Sequence, residues 1–92
     1  MKLLILYRPN SEHASEVEAF VRDFQRQFYE AGKKIEMLSI DSREGVAQSS
    51  LYGIMQFPSI LAVENDGTLI NAWVGMPSPL MNDVAGYAQA GR

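Results

Sequence analysis

The sequence predicts an α/β fold with the element order βαβαββα, a mixed four-stranded sheet with helices on both faces. Three observations carry this. Residues 3–7, Leu-Leu-Ile-Leu-Tyr, are a short unbroken apolar run of the kind that forms a strand buried on both faces. Val17, Phe20, Val21, Phe24 and Phe28 recur at helical spacing and make one apolar stripe. Asn65-Asp66-Gly67 is a tight-turn signal between two further apolar runs, so the last two strands form an antiparallel hairpin.

The elements follow in order. After the first strand, residues 8–11 read as a loop. Ser11 is a candidate N-cap, because its side-chain oxygen can accept from a free backbone N–H. Ser15 followed by Glu18 offers an alternative capping box. The long helix runs to about Ala31, where Gly32 stops it and Lys33-Lys34 complement the negative end of its dipole. Residues 35–40 form the second strand, ended by Asp41-Ser42. A shorter helix spans 44–52 with Val46, Ala47 and Leu51 turned inward, closed by Gly53. Residues 59–63 and 68–74 are the third and fourth strands. Ser78 before Pro79 opens a last helix, a capping side chain followed by proline at the first helical position. The first βαβ unit requires a right-handed crossover and a parallel strand pair.

Ninety-two residues support one domain, 1–92, with a modest core. Hydrophobic residues make up 47% and charged residues 21%, the balance of a soluble globular chain. A net charge of -3 with scattered cations argues against nucleic acid and anionic membrane as partners. The apolar start is interrupted by Arg8, Pro9 and Asn10, too soon for a signal peptide, and no run approaches the roughly 20 apolar residues of a bilayer span. The expected location is therefore cytoplasmic. No residue is cysteine, so structural disulfides are excluded.

From Ile35 onward the sequence resembles the thioredoxin and glutaredoxin family. The residues that carry the likeness are Met37-Leu38-Ser39-Ile40-Asp41, Leu51-Tyr52-Gly53-Ile54-Met55-Gln56-Phe57-Pro58-Ser59, Asn65-Asp66-Gly67 and Val74-Gly75. Family members have a strand ending in Asp, then Tyr-Gly-Ile/Val-x-x-x-Pro-Thr, a strand, a turn with Asn-Gly or Asp-Gly, and a strand ending near Val-Gly. The spacing agrees without gaps. With the first strand and helix added, the likeness covers nearly the whole chain. It lacks the extra N-terminal strand and helix of full thioredoxins, so its length is closer to glutaredoxin. The resemblance implies a thioredoxin-like fold, a cis proline at Pro58 and a peptide groove beside it lined by Gly75. The catalytic motif does not carry over: Ser11-Glu12-His13-Ala14 stand where the family has Cys-x-x-Cys. Ile5 and Met37 occupy the positions of the family's buried acid and its neighbouring lysine. Disulfide exchange needs an attacking thiolate. A serine hydroxyl cannot replace it, so Ser11 is no electron carrier.

Each remaining feature has a sharp and a plain interpretation. Ser11 and His13 could form an activated hydroxyl. At a separation of two on a helix they do not face each other, and a cap plus a solvated histidine is preferred. Glu12, His13 and Glu16 could ligate a metal, but one histidine and surface carboxylates make a weak set, so no metal is expected. Phe20, Phe24 and Phe28 are core rather than a cofactor pocket, and no cofactor is expected. Tyr7 and Phe57 flank the degenerate motif and should be partly exposed. Trp73 on an edge strand could form an interface, with packing against the last helix preferred. Met76-Pro77-Ser78-Pro79 is a stiff loop next to Gly75, suited equally to binding or to plain connection.

The expected function is therefore a redox-inactive binding module. Its groove would be built from Pro9, Asn10, Ser11, Phe57, Pro58, Gly75 and Met76, and would hold a protein or extended peptide. The alternative is a thiol-redox role. This would be non-covalent binding of glutathione or a thiol substrate, a subunit of an oxidoreductase complex, or an oxidoreductase whose cysteines at 11 and 14 have been replaced. A further expectation is a homodimer through the edge strand near Trp73. By resemblance alone, the setting is cell redox homeostasis or protein quality control.

Overall fold

The structure, a computed structural model, describes residues 2–75 together with Val84 and Gly86. Within it, β1 spans Lys2–Tyr7, α1 Ala14–Gln27, α2 Tyr29–Gly32, β2 Ile35–Ser39, α3 Arg43–Tyr52, β3 Ser59–Val63 and β4 Leu69–Val74. The sheet order is β2-β1-β3-β4. β1 runs parallel to β2, with Ile5 opposite Met37, and antiparallel to β3, with Ile5 opposite Ile60. β3 and β4 form the antiparallel hairpin, closed by Glu64 and Thr68 around the turn that Gly67 completes at φ 95.

Alternation along the two central strands builds two core layers. Leu3 and Ile5 of β1, with Ile60 and Ala62 of β3, face Val17, Phe20, Val21 and Phe24 of α1. Phe24 is fully buried and stacks between Phe20 and Phe28, with ring centroids 6.0 and 5.3 Å away. Val84, which is helical, joins this layer. Leu4, Leu6, Leu61 and Val63 point to the opposite face, where Leu38, Tyr52 and Ile54 meet them. The expected four strands and the expected apolar stripe are all present. The last helix expected over 78–88 lies outside the described residues except for Val84 and Gly86.

Four local expectations are corrected. Ser11 does not cap the helix: its hydroxyl donates to the Arg8 carbonyl, and α1 starts at Ala14 with His13 at the cap position, its side chain accepting from no N–H of the helix. Ser15 lies inside α1, on its exposed face. The helix does not run unbroken to Ala31. It ends at Gln27 with Phe28 as its cap, and a four-residue turn, α2, folds back until Gly32 packs on Gln25, where a Cβ would come within 2.8 Å of the Gln25 Cα. The third helix is turned around: Val46 and Leu51 are 51% and 69% exposed, and Ala47 is exposed as well. The reason is Gly45. It lies so close to β2 that any side chain there would meet the Ser39 carbonyl, so the glycine face of α3 goes inward. The helix is fixed there by Ser42, whose hydroxyl donates to Ser39 O at 2.7 Å and accepts from Gly45 N–H at 3.0 Å.

Trp73 is half-buried and packs against the α1-facing core layer, while the last helix, against which its packing is expected, lies outside the described residues except for Val84 and Gly86.

Candidate functional site

The C-terminal end of β1 and the start of α1 are joined by residues 8–13, and this loop forms one wall of an open cleft. The chain turns at Asn10, which adopts a left-handed φ of 64. Arg8 is held at three points. Its carbonyl accepts from Ser11 Oγ at 2.5 Å, its N–H donates to His13 Nε2 at 3.2 Å, and its guanidinium pairs with Asp41, Nε to Oδ2 3.4 Å. The ion pair is exposed, so it positions the loop more than it stabilises the fold.

Phe57 closes the opposite wall. The Phe57–Pro58 peptide is cis. Pro58 is buried, and its carbonyl accepts from Gly75 N–H at 2.8 Å, which ties the loop to the end of β4. Gly75 sits at φ 81, a conformation that glycine adopts at no steric cost. Ser59 secures the other side of the loop through its hydroxyl to Gln56 O.

Between these walls lies a cleft of about 400 Å³, lined by Arg8, Ser11, Glu12, His13, Ile40 and Phe57. Of the residues expected to bind, Ser11 and Phe57 meet in this lining. Pro58 and Gly75 line a separate void of about 10 Å³ together with Ile5, Val17, Phe20, Ile60 and Trp73, room for no more than one water. Pro9 is half-buried and Asn10 exposed in the same loop, apart from the cleft lining. Met76 lies outside the described residues. Arg8 and Ile40 are cleft residues that the sequence reasoning missed. The parallel pairing of Tyr7 with Ser39 brings the residues that follow both strands together, and the opposite charges of Arg8 and Asp41 were the available signal.

Ser11 and His13 are not arranged as a nucleophile and its base. The Ser11 proton goes to the Arg8 carbonyl, and the His13 Nε2 lone pair faces the Arg8 N–H rather than Ser11. Neither group is set to activate the other. Ala14, which stands where the resembled motif has its second cysteine, is buried. Behind the loop, Tyr7 is half-buried, and its phenol is held above its ordinary pKa by burial first and then by the Glu18 carboxylate. Ile5 and Met37 stand opposite one another across β1 and β2, so the position of the family's acid-lysine pair is apolar here. Among the described residues no three acidic, histidine or cysteine side chains cluster as metal ligands.

No protein-family model matches the sequence, and no curated protein matches it. Solved structures do match. Thioredoxin 1 from Thermosipho africanus superposes with a TM-score of 0.65 over 98% of this chain and 92% of its own, at 9% identity. A malarial protein gives 0.63 over 97% and 93%, at 16% identity. The first two thioredoxin domains of Saccharomyces cerevisiae Eps1p give 0.60, at 20% identity, covering 95% of this chain and 34% of that one. The fold is thioredoxin-like. At these identities the likeness fixes the architecture and leaves activity to be argued from the site. This thioredoxin-like chain carries no cysteine, and among its described residues no helix is long and apolar enough to cross a membrane.

Proposed function

We propose that this chain is a redox-inactive thioredoxin-like module that binds an extended protein segment along the Phe57–Pro58 loop. The observation that carries the reading is the backbone at Phe57. Among the described residues its N–H and C=O take no hydrogen-bond partner, although the residues on either side do. An extended segment laid beside the loop would satisfy both groups by strand-like pairing. The half-buried Phe57 ring and Ile40 supply an apolar wall for its side chains. Arg8 and Glu12 at the rim supply selectivity. With no cysteine in the chain, the partner is held without a covalent intermediate.

Affinity capture from the host lysate tests the reading, comparing wild type with Phe57→Asp and Phe57→Ala, each checked for a cooperative melt. A partner captured by wild type and lost from both folded variants supports the groove. A partner retained equally by both removes Phe57 from the interface and overturns the reading.

A further inference from the structure

We propose that His13 is a pH-sensitive latch on the loop that walls the cleft. Its bearing on partner binding rests on the groove reading above, whereas the latch itself is a property of the free chain.

His13 Nε2 lies 3.2 Å from the Arg8 backbone nitrogen and accepts its N–H. An imidazole nitrogen can accept only when it carries no proton, so this contact requires the neutral tautomer with hydrogen on Nδ1. This one contact spans the whole loop. It joins the residue after β1 to the residue that caps α1, and the loop's turn at Asn10 lies between them. The His13 carbonyl meanwhile accepts from Val17 N–H at 3.0 Å, so the same residue starts the helix and closes the loop.

Protonation at Nε2 replaces the lone pair with an N–H. Two donors then face each other, and the Arg8 N–H loses its partner. The imidazolium also stands at the N-terminal end of α1, where the helix dipole opposes a positive charge. The Arg8 guanidinium lines the same cleft and adds repulsion. The carboxylates available to a cation here are Glu12 beside it, Glu16 in the first helical turn, and Asp41 across the loop, which Arg8 already engages. The loop of Phe57 brings no charge to the cleft. A protonated His13 therefore turns away from Arg8 toward Glu12 and Glu16, and the 8–13 wall is released on one side. Ser11 still holds the Arg8 carbonyl, so the loop opens without the fold coming apart.

The test is a two-dimensional NMR titration of the free chain from pH 8 to 5, following the Arg8 amide and the His13 ring. The expected result is an Arg8 amide shift that follows the imidazole midpoint. Protection of that amide from exchange should fall by roughly fivefold beyond the intrinsic pH effect, the factor of one ordinary hydrogen bond. In His13→Ala the amide should be unprotected at every pH, and in His13→Gln its shift should no longer follow an imidazole. An Arg8 amide that stays flat while the ring titrates overturns the latch. So does an unchanged Arg8 titration in His13→Gln, which would assign it to Glu12, Glu16 or Asp41. No partner is present in this measurement, so its outcome is independent of whether the groove binds a segment.

Discussion

Replacing Gly45 with alanine sets two effects of opposite sign against each other. Gly45 lies in the first turn of α3, and alanine there offers up to about 1 kcal/mol of helix propensity. Its Cβ, however, would fall 1.8 Å from the Ser39 carbonyl oxygen and 2.7 Å from the carbonyl carbon. These are backbone atoms, and rotating a side chain cannot relieve the contact. The helix must retreat from β2 by more than an ångström. That movement pulls on the Ser42 cap, whose hydroxyl links Ser39 O to Gly45 N–H. A lost cap costs about 1 kcal/mol, and overpacking of a filled contact about 1–3 kcal/mol. The clash outweighs propensity, for a net loss of about 2 kcal/mol, or roughly 10 °C in Tm for a chain of this size. Thermal unfolding followed by far-UV circular dichroism measures it. Gly53→Ala is the internal control: it is strained by its left-handed φ of 67 but has open space around it, so it should cost about 1–2 kcal/mol. A Gly45→Ala variant as stable as wild type would refute the packing of α3 on β2.

Two further outcomes follow from named contacts. Alternation from the Gly75–Pro58 bond points the Ala72 N–H outward from β4, and Asn71 Oδ1 accepts it at 2.8 Å, masking a donor on what is, among the described residues, the edge strand of the sheet. Asn71→Val should unmask it and promote self-association in sedimentation velocity, and identical sedimentation of variant and wild type would show that Asn71 guards nothing. Asp66 accepts from Thr68 N–H at 2.9 Å, which holds its carboxyl below the ordinary value. Its contribution to stability is full above the unfolded value and disappears as pH falls through the lower folded one, below about pH 4. Asp66→Asn should therefore flatten the acid limb of the Tm profile, and an unaltered limb would contradict the turn geometry.

The sheet was legible in the sequence because its strands are short apolar runs that cannot be placed elsewhere, and the hairpin because Asn65-Asp66-Gly67 tolerates few other conformations. The inward stripe of α1 was equally clear from its spacing. The orientation of α3 was not. Apolar periodicity put Val46 and Leu51 inside, yet the helix approaches β2 so closely that only glycine fits, and backbone proximity leaves no mark in hydropathy. Ser11 looked like a cap because serine suits that role, but α1 begins only at Ala14 with His13 at the cap position, and the Ser11 hydroxyl instead ties the loop by donating to the Arg8 carbonyl. The cleft was half legible. Phe57 and Ser11 came from the motif resemblance, whereas Arg8 and Ile40 enter it only through the parallel register of β1 and β2.

The measurement that tests the groove most directly is an amide-perturbation map, recorded as a peptide from a captured partner is titrated into the isotope-labelled chain. The largest shifts are expected at Phe57, Ser59, Ser11, His13 and Gly75, with little change along residues 69–73. Shifts concentrated along β4, with Phe57 and Ser11 unmoved, would place the interface on the sheet edge and contradict it.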